Sequence, residues 1–190
     1  MCRPERPSKS TSCNNFFKRR FFNLIVHGQL VSLCSEHKDA LDTFLREFEV
    51  SGDELHGYFI DRSTNIEKVI ATLEDWDRGE ELPDGWVPNT TWFWERDGTI
   101  QGVINVRHSL TAWLKENGGH IGYSVAPTQR QQGVATAMLS SALLKCKEFK
   151  IPKAMLICDS ANLGSRRAIE ANNGILEREE NGQRWYWIEL

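Results

Sequence analysis

The chain predicts an α/β (α+β) fold, and three stretches carry that expectation. Two of them, TTWFWERDGTIQGVINVRH and ILEREENGQRWYWIEL, are runs of β-favouring residues broken by Asp97-Gly98 and Asn181-Gly182. Those dipeptides fit tight hairpin turns because both residues tolerate positive φ. The third, GGHIGYSVAPTQRQQGVATA from Gly118 to Ala137, passes from a short apolar run through a polar turn into helical spacing of Ala, Met and Leu. It reads as a buried strand delivered straight to a helix start.

The elements follow in order. Residues 1–28 differ from the rest: Pro, Ser, Lys and Arg precede FFKRRFFNLIV, whose basic residues sit inside the apolar stretch. A poorly ordered basic leader is the favoured expectation, with a membrane-surface or partner helix as the alternative. The charge placement disfavours a signal peptide. One domain is expected over residues 29–190. GQLVSLC reads as a first strand, and Ser35 with His37 to Val50 as a helix burying Leu41, Phe44, Leu45 and Phe48. A second helix fits Asn65 to Asp77, capped by Ser63 or Thr64 and burying Ile66, Val69, Ile70 and Leu73. GEELPDGWVPN is rich in turn residues and reads as a loop. Then come the first hairpin, a connecting segment from Thr111 to Asn117, and the strand His120 to Val125. A central helix Gln131 to Phe149, a strand Lys153 to Asp159, a helix Gly164 to Asn172 and the second hairpin complete the chain.

Composition narrows the function. The chain has 190 residues, 40% of them hydrophobic, with net charge −3 and a pI near 6.0. Neither nucleic acid nor a membrane surface is an expected partner, and no apolar run reaches spanning length. The five cysteines, Cys2, Cys13, Cys34, Cys146 and Cys158, form no CxxC pair. Free thiols in a cytoplasm are expected, with no disulfide framework and no metal site. Cys146 and Cys158 fit the core better than they fit a nucleophile.

The turn after the buried strand is the chemical centre. A helix start leaves four N–H groups unpaired and carries the positive end of the helix dipole, so it suits a phosphate. Gly133 and Ala135 keep the backbone approachable, and Arg130 can add a charged fork. The Lys-Ser/Thr ending of a nucleoside triphosphate loop and the three-glycine spacing of a dinucleotide turn are both missing.

Arg130, Gly133 and Ala135 resemble the cofactor loop of the GCN5-related N-acetyltransferases (GNAT), which reads Arg/Gln, two residues, Gly, one residue, Gly/Ala. Asn162, Ser165, Ile169 and Glu170 resemble the family's second motif. Pro83 to Pro88, Arg107-His108 and Gly118 to Tyr123 are similar to segments of a bacterial subgroup of predicted acetyltransferases. The resemblance covers about Gln29 to Leu190. It implies a mixed, mostly antiparallel sheet flanked by helices, with the fourth and fifth strands parallel and splayed around acetyl-CoA as cosubstrate. A β-bulge near Ser124 to Ala126 would create the splay. Cofactor contacts are then expected from Tyr123, Val125, Ala126, Arg130, Gln131, Gln132, Gly133, Val134, Ala135, Thr136, Asn162 and Ser165. Asn162 can equally cap the following helix.

An N-acetyltransferase acting on a primary amine by direct attack in a ternary complex is the implied activity. The acceptor would be a small molecule or a protein amine, and the chain a monomer or homodimer. Deprotonating a lysine-like amine at pH 7 costs on the order of 4 to 5 kcal/mol, so a base or a desolvating site must help. His120 and His108 are the candidate bases, and a structural or substrate-positioning role competes for each. Backbone N–H groups near Tyr123 to Val125 would hold the oxyanion. Where many members place a proton-donating tyrosine, this chain has Ile169; Tyr123, Tyr186 or water could substitute. The alternative is a non-catalytic acyl-CoA-binding or regulatory module on the same fold. For the acceptor, Glu80, Glu81 and Asp84 with Trp76 and Trp86 suggest a cationic amine, against a reading as solvated surface.

Since the sheet is expected to begin near Gln29, deleting residues 1–26 should leave the thermal midpoint and acetyl-CoA binding nearly unchanged. A large drop in midpoint, measured by calorimetry, would place FFKRRFFNLIV on the core.

Overall fold

The computed structural model describes residues 28–55, 60, 62–63 and 65–190, so the basic leader and Thr64 lie outside the described residues. Strand β1 (Gln29–Val31), helices α1 (Lys38–Ser51) and α2 (Ile66–Arg78), and strands β2 (Asn89–Arg96) and β3 (Thr99–Arg107) come first. Then follow α3 (Ala112–Asn117), β4 (Ile121–Val125), α4 (Val134–Glu148), β5 (Lys153–Asp159), α5 (Leu163–Ala171), β6 (Ile175–Glu180) and β7 (Gln183–Glu189). They build two antiparallel sheets, one ordered β1-β2-β3-β4 and the other β5-β7-β6.

Both hairpins turn where the sequence places them. Asp97 (φ 49°) and Gly98 (φ 75°), then Asn181 (φ 49°) and Gly182 (φ 78°), supply the paired positive φ values that match the twist of the strands. Helix α1 ends on Gly52 and α2 on Gly79, both left-handed. Leu41, Phe44, Leu45 and Phe48 recur at helical spacing along α1 and pack with Ile66 and Val69 of α2 against Phe93 and Val103 of the sheet. The opposite face carries Ile104, Val106, Ile121 and Val125 and is covered by Met138, Leu139, Ala142 and Cys146 of α4. Strand alternation divides the two layers, because successive side chains point to opposite faces.

Several expectations change. The segment Thr111 to Asn117 is a helix, capped by the Thr111 hydroxyl accepting from Leu114 N–H at 3.2 Å. Helix α2 is capped by Asn65, whose side chain accepts from Lys68 N–H at 3.1 Å. Helix α4 begins at Val134, three residues late, because Gln131 (φ 62°) and Gly133 (φ 85°) are left-handed and cannot join an α-helix. No bulge interrupts β4: its pairing with β3 runs unbroken from Gly102 opposite Val125 to Val106 opposite Ile121. The irregularities fall at Trp94/Glu95 in β2 and Leu176/Arg178 in β6.

The opening between the sheets has a different origin. No ladder joins β4 to β5 among the described residues. Gly119 makes an isolated antiparallel-type bridge with Leu156, His120 N–H donates to Met155 O at 2.8 Å, and Met155 N–H donates to His120 Nδ1 at 2.9 Å. Beyond that seam the two strands continue, β4 to Val125 and β5 to Asp159. They do not pair there. The chain is sewn at one end of the gap and open at the other.

Gly119 cannot be replaced cheaply. It has φ +66°, and a Cβ there would lie 2.6 Å from Met155 O. Gly119→Val should lower stability by about 2 to 4 kcal/mol, read as a drop in the urea midpoint. An unchanged midpoint would show that the seam tolerates rearrangement.

Candidate functional site

At the open end, β4 runs into the turn that precedes α4. Ala126 N–H donates to Gln101 O at 2.9 Å, and Ala126 is fully buried, so the strand end is anchored. Thr128 is held by Glu47 of α1 through its N–H (3.0 Å) and hydroxyl (2.8 Å). Gln132 reaches back to Thr128 O at 2.9 Å. These bonds shape the exposed residues Gln131, Gln132 and Gly133 ahead of the buried Val134. The first turn of α4, with Ala135 and Thr136, has no side-chain cap and no acidic residue. Its unpaired N–H groups and the positive end of the helix dipole suit an anion, although the carboxylates of Glu47 and Asp53 already hold Thr128 and Arg130 in the turn before it.

That arrangement fits the pyrophosphate of a coenzyme A thioester. Arg130 fits less simply. Its guanidinium donates to Asp53 at 2.6 Å and to Val125 O at 3.2 Å, and its hydrogen bond holds the Asp53 carboxyl below the usual range. A phosphate would have to share or displace Asp53.

Tyr123, Asn162 and Ser165 come together across the gap. Tyr123 Oη lies 2.9 Å from Ser165 Oγ, and Asn162 caps α5 by accepting from Ser165 N–H at 2.9 Å. Burial pushes the Tyr123 hydroxyl up to about 12, against the lowering effect of the Ser165 bond. Tyr123 thus stays protonated at neutral pH and can donate. Tyr186 is fully buried with its hydroxyl given to Glu170 at 3.0 Å, away from this group.

The two histidines go elsewhere. His108 and His120 share a small cavity of ≈ 310 Å³ with Lys153 and Trp187 at the sewn end of the gap. Five strand residues, roughly 17 Å of chain, separate His120 from the turn before α4. Its ring, 8% exposed, accepts Met155 N–H at Nδ1, so in the neutral form Nε2 carries the proton and no acceptor nitrogen remains. His108 stacks on Phe149 with centroids 4.1 Å apart. Its Nε2 lies 2.8 Å from the Thr90 hydroxyl, which itself donates to Asp77, leaving Nδ1 as the ring's acceptor. Burial lowers the pKa of both, to about 4 for His120, where the Arg107 charge adds to the effect.

A larger cleft, ≈ 540 Å³, opens on the α1/α2 side of the sheet. Asn89 and Asn105 form its buried floor with Arg107, and Trp86, Trp113 and Leu114 supply apolar wall. Of the acidic loop, Asp84 and Trp86 reach the cleft; Glu80 is paired with Arg78 at 2.9 Å instead. Trp76 stands behind Trp86 at 5.0 Å between ring centroids. Arg107 donates to Gly118 O (3.3 Å) and Gly119 O (3.2 Å) and faces Gly122 of β4, where a Cβ would lie 3.8 Å from its nitrogens. Sequence reading missed Asn89, Asn105 and Trp113. Polar residues at alternate positions of two apolar strands, Asn89 and Thr91, Asn105 and Arg107, were the available signal.

The His120 shift sets a pH dependence. Its pKa falls from 6.5 in the unfolded chain to about 4 in the fold, so the unfolded state binds the extra proton first. Its stabilising contribution is complete above about pH 6.5 and is lost as pH falls towards 4, by at most about 3 kcal/mol. Urea midpoints between pH 7 and 4 should show this slope, and His120→Asn should reduce it to the part left by His108 and by the lowered carboxylates Asp42, Asp53, Glu95 and Glu179. An identical slope in the variant would mean that the ring titrates as in the unfolded chain.

Comparison with known proteins completes the description. A search of curated protein sequences gave no match. Among solved structures, the fold is similar to RimL, a ribosomal alpha-N-protein acetyltransferase in complex with coenzyme A (TM-score 0.62, 14% identity, covering 87% of this chain and 95% of that one). It is similar as well to Mycobacterium smegmatis RimJ in complex with a CoA disulfide (TM-score 0.61, 17% identity, 84% and 80%). A third is the microcin self-immunity acetyltransferase MccE in complex with acetyl-CoA and AMP (TM-score 0.58, 16% identity, 85% and 91%). The acetyltransferase (GNAT) family model matches residues 59–175, more than half of the chain, and so the chain belongs to the GNAT acetyltransferase family, with acetyl-CoA as cosubstrate.

Proposed function

We propose that the chain transfers the acetyl group of acetyl-CoA to a primary amine by direct attack within a ternary complex. The observation that carries this reading is that β4, which shares no ladder with β5 among the described residues, runs into a turn that leads to the uncapped start of α4. Tyr123 and Val125 lie on the α4 face, and Gly122, just before Tyr123 and on the opposite face by alternation, faces Arg107, which lines the cleft. A cofactor held on one side and an acceptor on the other would touch across the edge of β4 that shares no ladder with β5 among the described residues.

On this reading, the backbone of Gln131 to Thr136 holds the pyrophosphate, with Arg130 shared between it and Asp53. Tyr123, Val125 and Ala126 border the pantetheine arm, with Asn162 and Ser165 across the gap. The amine nitrogen attacks the thioester carbonyl carbon, the C–N bond forms and the C–S bond breaks. The amine gives up one proton and the sulfur gains one, so an amide and a free thiol result. Tyr123, beside the gap and hydrogen-bonded to Ser165, would deliver the sulfur's proton. Neither histidine is needed as a base: the Arg107 charge and the apolar cleft wall both disfavour an ammonium ion and lower the cost of the neutral amine. Cys34, exposed, and Cys146 and Cys158, buried, are free thiols, which suits a reducing compartment such as the cytoplasm.

Acetyl-CoA at 100 times its dissociation constant should add about 2.7 kcal/mol, or roughly 5 to 10 °C in midpoint. Gly133→Val should remove most of that shift, because the residue is left-handed and a branched side chain would crowd the anion. Binding without acetyl transfer to any amine, followed as release of free CoA thiol, would instead favour a non-catalytic acyl-CoA-binding module.

A further inference from the structure

We propose that the cavity at the joined end of the two sheets binds a phosphate group, held by Lys150, Lys153 and the ring of His120. The cavity, ≈ 310 Å³, is lined by these three residues together with His108, and Trp187 supplies apolar wall. That volume is at the small end of the range for ligand sites. It lies at the opposite end of β4 from the turn that leads into α4, and it is independent of the acetyl-transfer reading.

Three observations carry it. The first is a buried donor left over. His120 is 8% exposed, and its Nδ1 is taken by Met155 N–H at 2.9 Å, so Nε2–H is the ring group left to the cavity. It has no acceptor among the described residues, and a buried donor without a partner costs free energy. The second is charge. Two ammonium groups enter a cavity that no carboxylate lines, and neither forms an ion pair among the described residues. Lys153 stands opposite Glu189 in the pairing of β5 with β7, yet its Nζ lies over the Trp187 ring, 4.3 Å from the centroid. Asp77, 3.8 Å from His108 Nε2, is engaged by the Thr90 hydroxyl. The third is the backbone at Lys150. It is left-handed, with φ 59°, at the close of α4 where Gly or Asn is usual. The N–H groups of Phe149, Lys150 and Ile151 take up the carbonyls of Lys145, Lys147 and Cys146, which covers the helix end that would otherwise repel an anion.

Two ammonium groups and one neutral N–H match a dianion with several acceptor oxygens, and a tetrahedral phosphate can meet all three from different directions. A carboxylate brings one charge and two oxygens in a single plane. The ligand chemistry is therefore a phosphate dianion, either free or as the monoester of a small molecule whose organic part rests on Trp187. Occupancy also bears on the joint between the sheets. The ring that donates to the phosphate through Nε2 accepts the N–H of β5 through Nδ1, so a filled site braces that joint and is read as stability.

The test is the thermal midpoint of the full chain titrated with sodium phosphate, phenyl phosphate or sodium acetate, at constant ionic strength and mildly alkaline pH, with and without saturating acetyl-CoA. Phosphate should raise the midpoint saturably, with half-saturation about 10-fold or more below that of acetate. Acetyl-CoA should leave this rise in place, because the two sites lie at opposite ends of β4. Lys150 and Lys153 are both exposed, and Asn tolerates the left-handed backbone at position 150. The double variant Lys150→Asn/Lys153→Met should therefore keep the ligand-free midpoint nearly unchanged and raise the half-saturating phosphate concentration by about 10-fold or more, as the loss of charge-assisted bonds predicts. Tighter binding of phenyl phosphate than of phosphate would identify the monoester as the ligand, and any other order the free ion. A midpoint that does not move, or that rises only linearly with phosphate as for a salt excluded from the surface, would overturn the proposal. So would an undiminished response in the double variant, or loss of the response once acetyl-CoA is bound.

Discussion

The structure depends on a backbone seam that closes at one end only. His120 N–H on Met155 O, and Met155 N–H returned to the His120 ring, join the two sheets where β4 and β5 begin. Beyond it the strands share no ladder. Had pairing continued, every backbone group of β4 would be consumed and no ligand could approach its edge. With no seam at all, two sheets of four and three strands would be tied only through helices. The buried imidazole fills this structural role in its neutral form, and so its pKa is depressed. Burial and catalysis make opposite demands on a histidine, and here burial wins.

The open end is shaped by what holds it from outside. Glu47 of α1 fixes Thr128, and Asp53, just past the end of the same helix, holds Arg130. Helix α1 therefore reaches the turn before α4 as well as the apolar layer beneath it. A ligand that drew Arg130 from Asp53 would loosen one of these ties, coupling the cofactor side of β4 to the α1/α2 side. Both partners are about half exposed, so the pair itself contributes little to stability.

Charge differs between the two faces of β4. On the α4 face, the uncapped helix start offers N–H groups to an anion. On the other face, Arg107 stands against a floor of asparagines, with the carboxylate of Asp84 confined to the mouth. Amine acetylation needs an amine that arrives charged and reacts neutral. Attraction at the mouth and a cation with apolar wall within would serve those two steps in turn.

Much of this was legible in the amino-acid order because it is written in local chemistry. Asp97-Gly98 and Asn181-Gly182 determine their turns by φ alone, the spacing of Leu41, Phe44, Leu45 and Phe48 determines a helix face, and Gly133 marks the left-handed turn before α4. What the sequence could not carry depends on neighbours distant in the chain. A β-bulge was expected in β4, whereas the opening arises because the two strands part after the Gly119–Leu156 bridge and the two His120–Met155 hydrogen bonds, a matter of how two sheets pack. His120 reads in sequence as either a candidate base or a structural residue, and only packing turns its ring to a backbone N–H 35 residues away. Glu80 and Asp84 look alike in sequence, and only packing pairs one with Arg78 and sets the other at the cleft. Local backbone preference is a property of a few adjacent residues; the direction of a side chain, and so its chemistry, is decided by whatever tertiary structure brings against it.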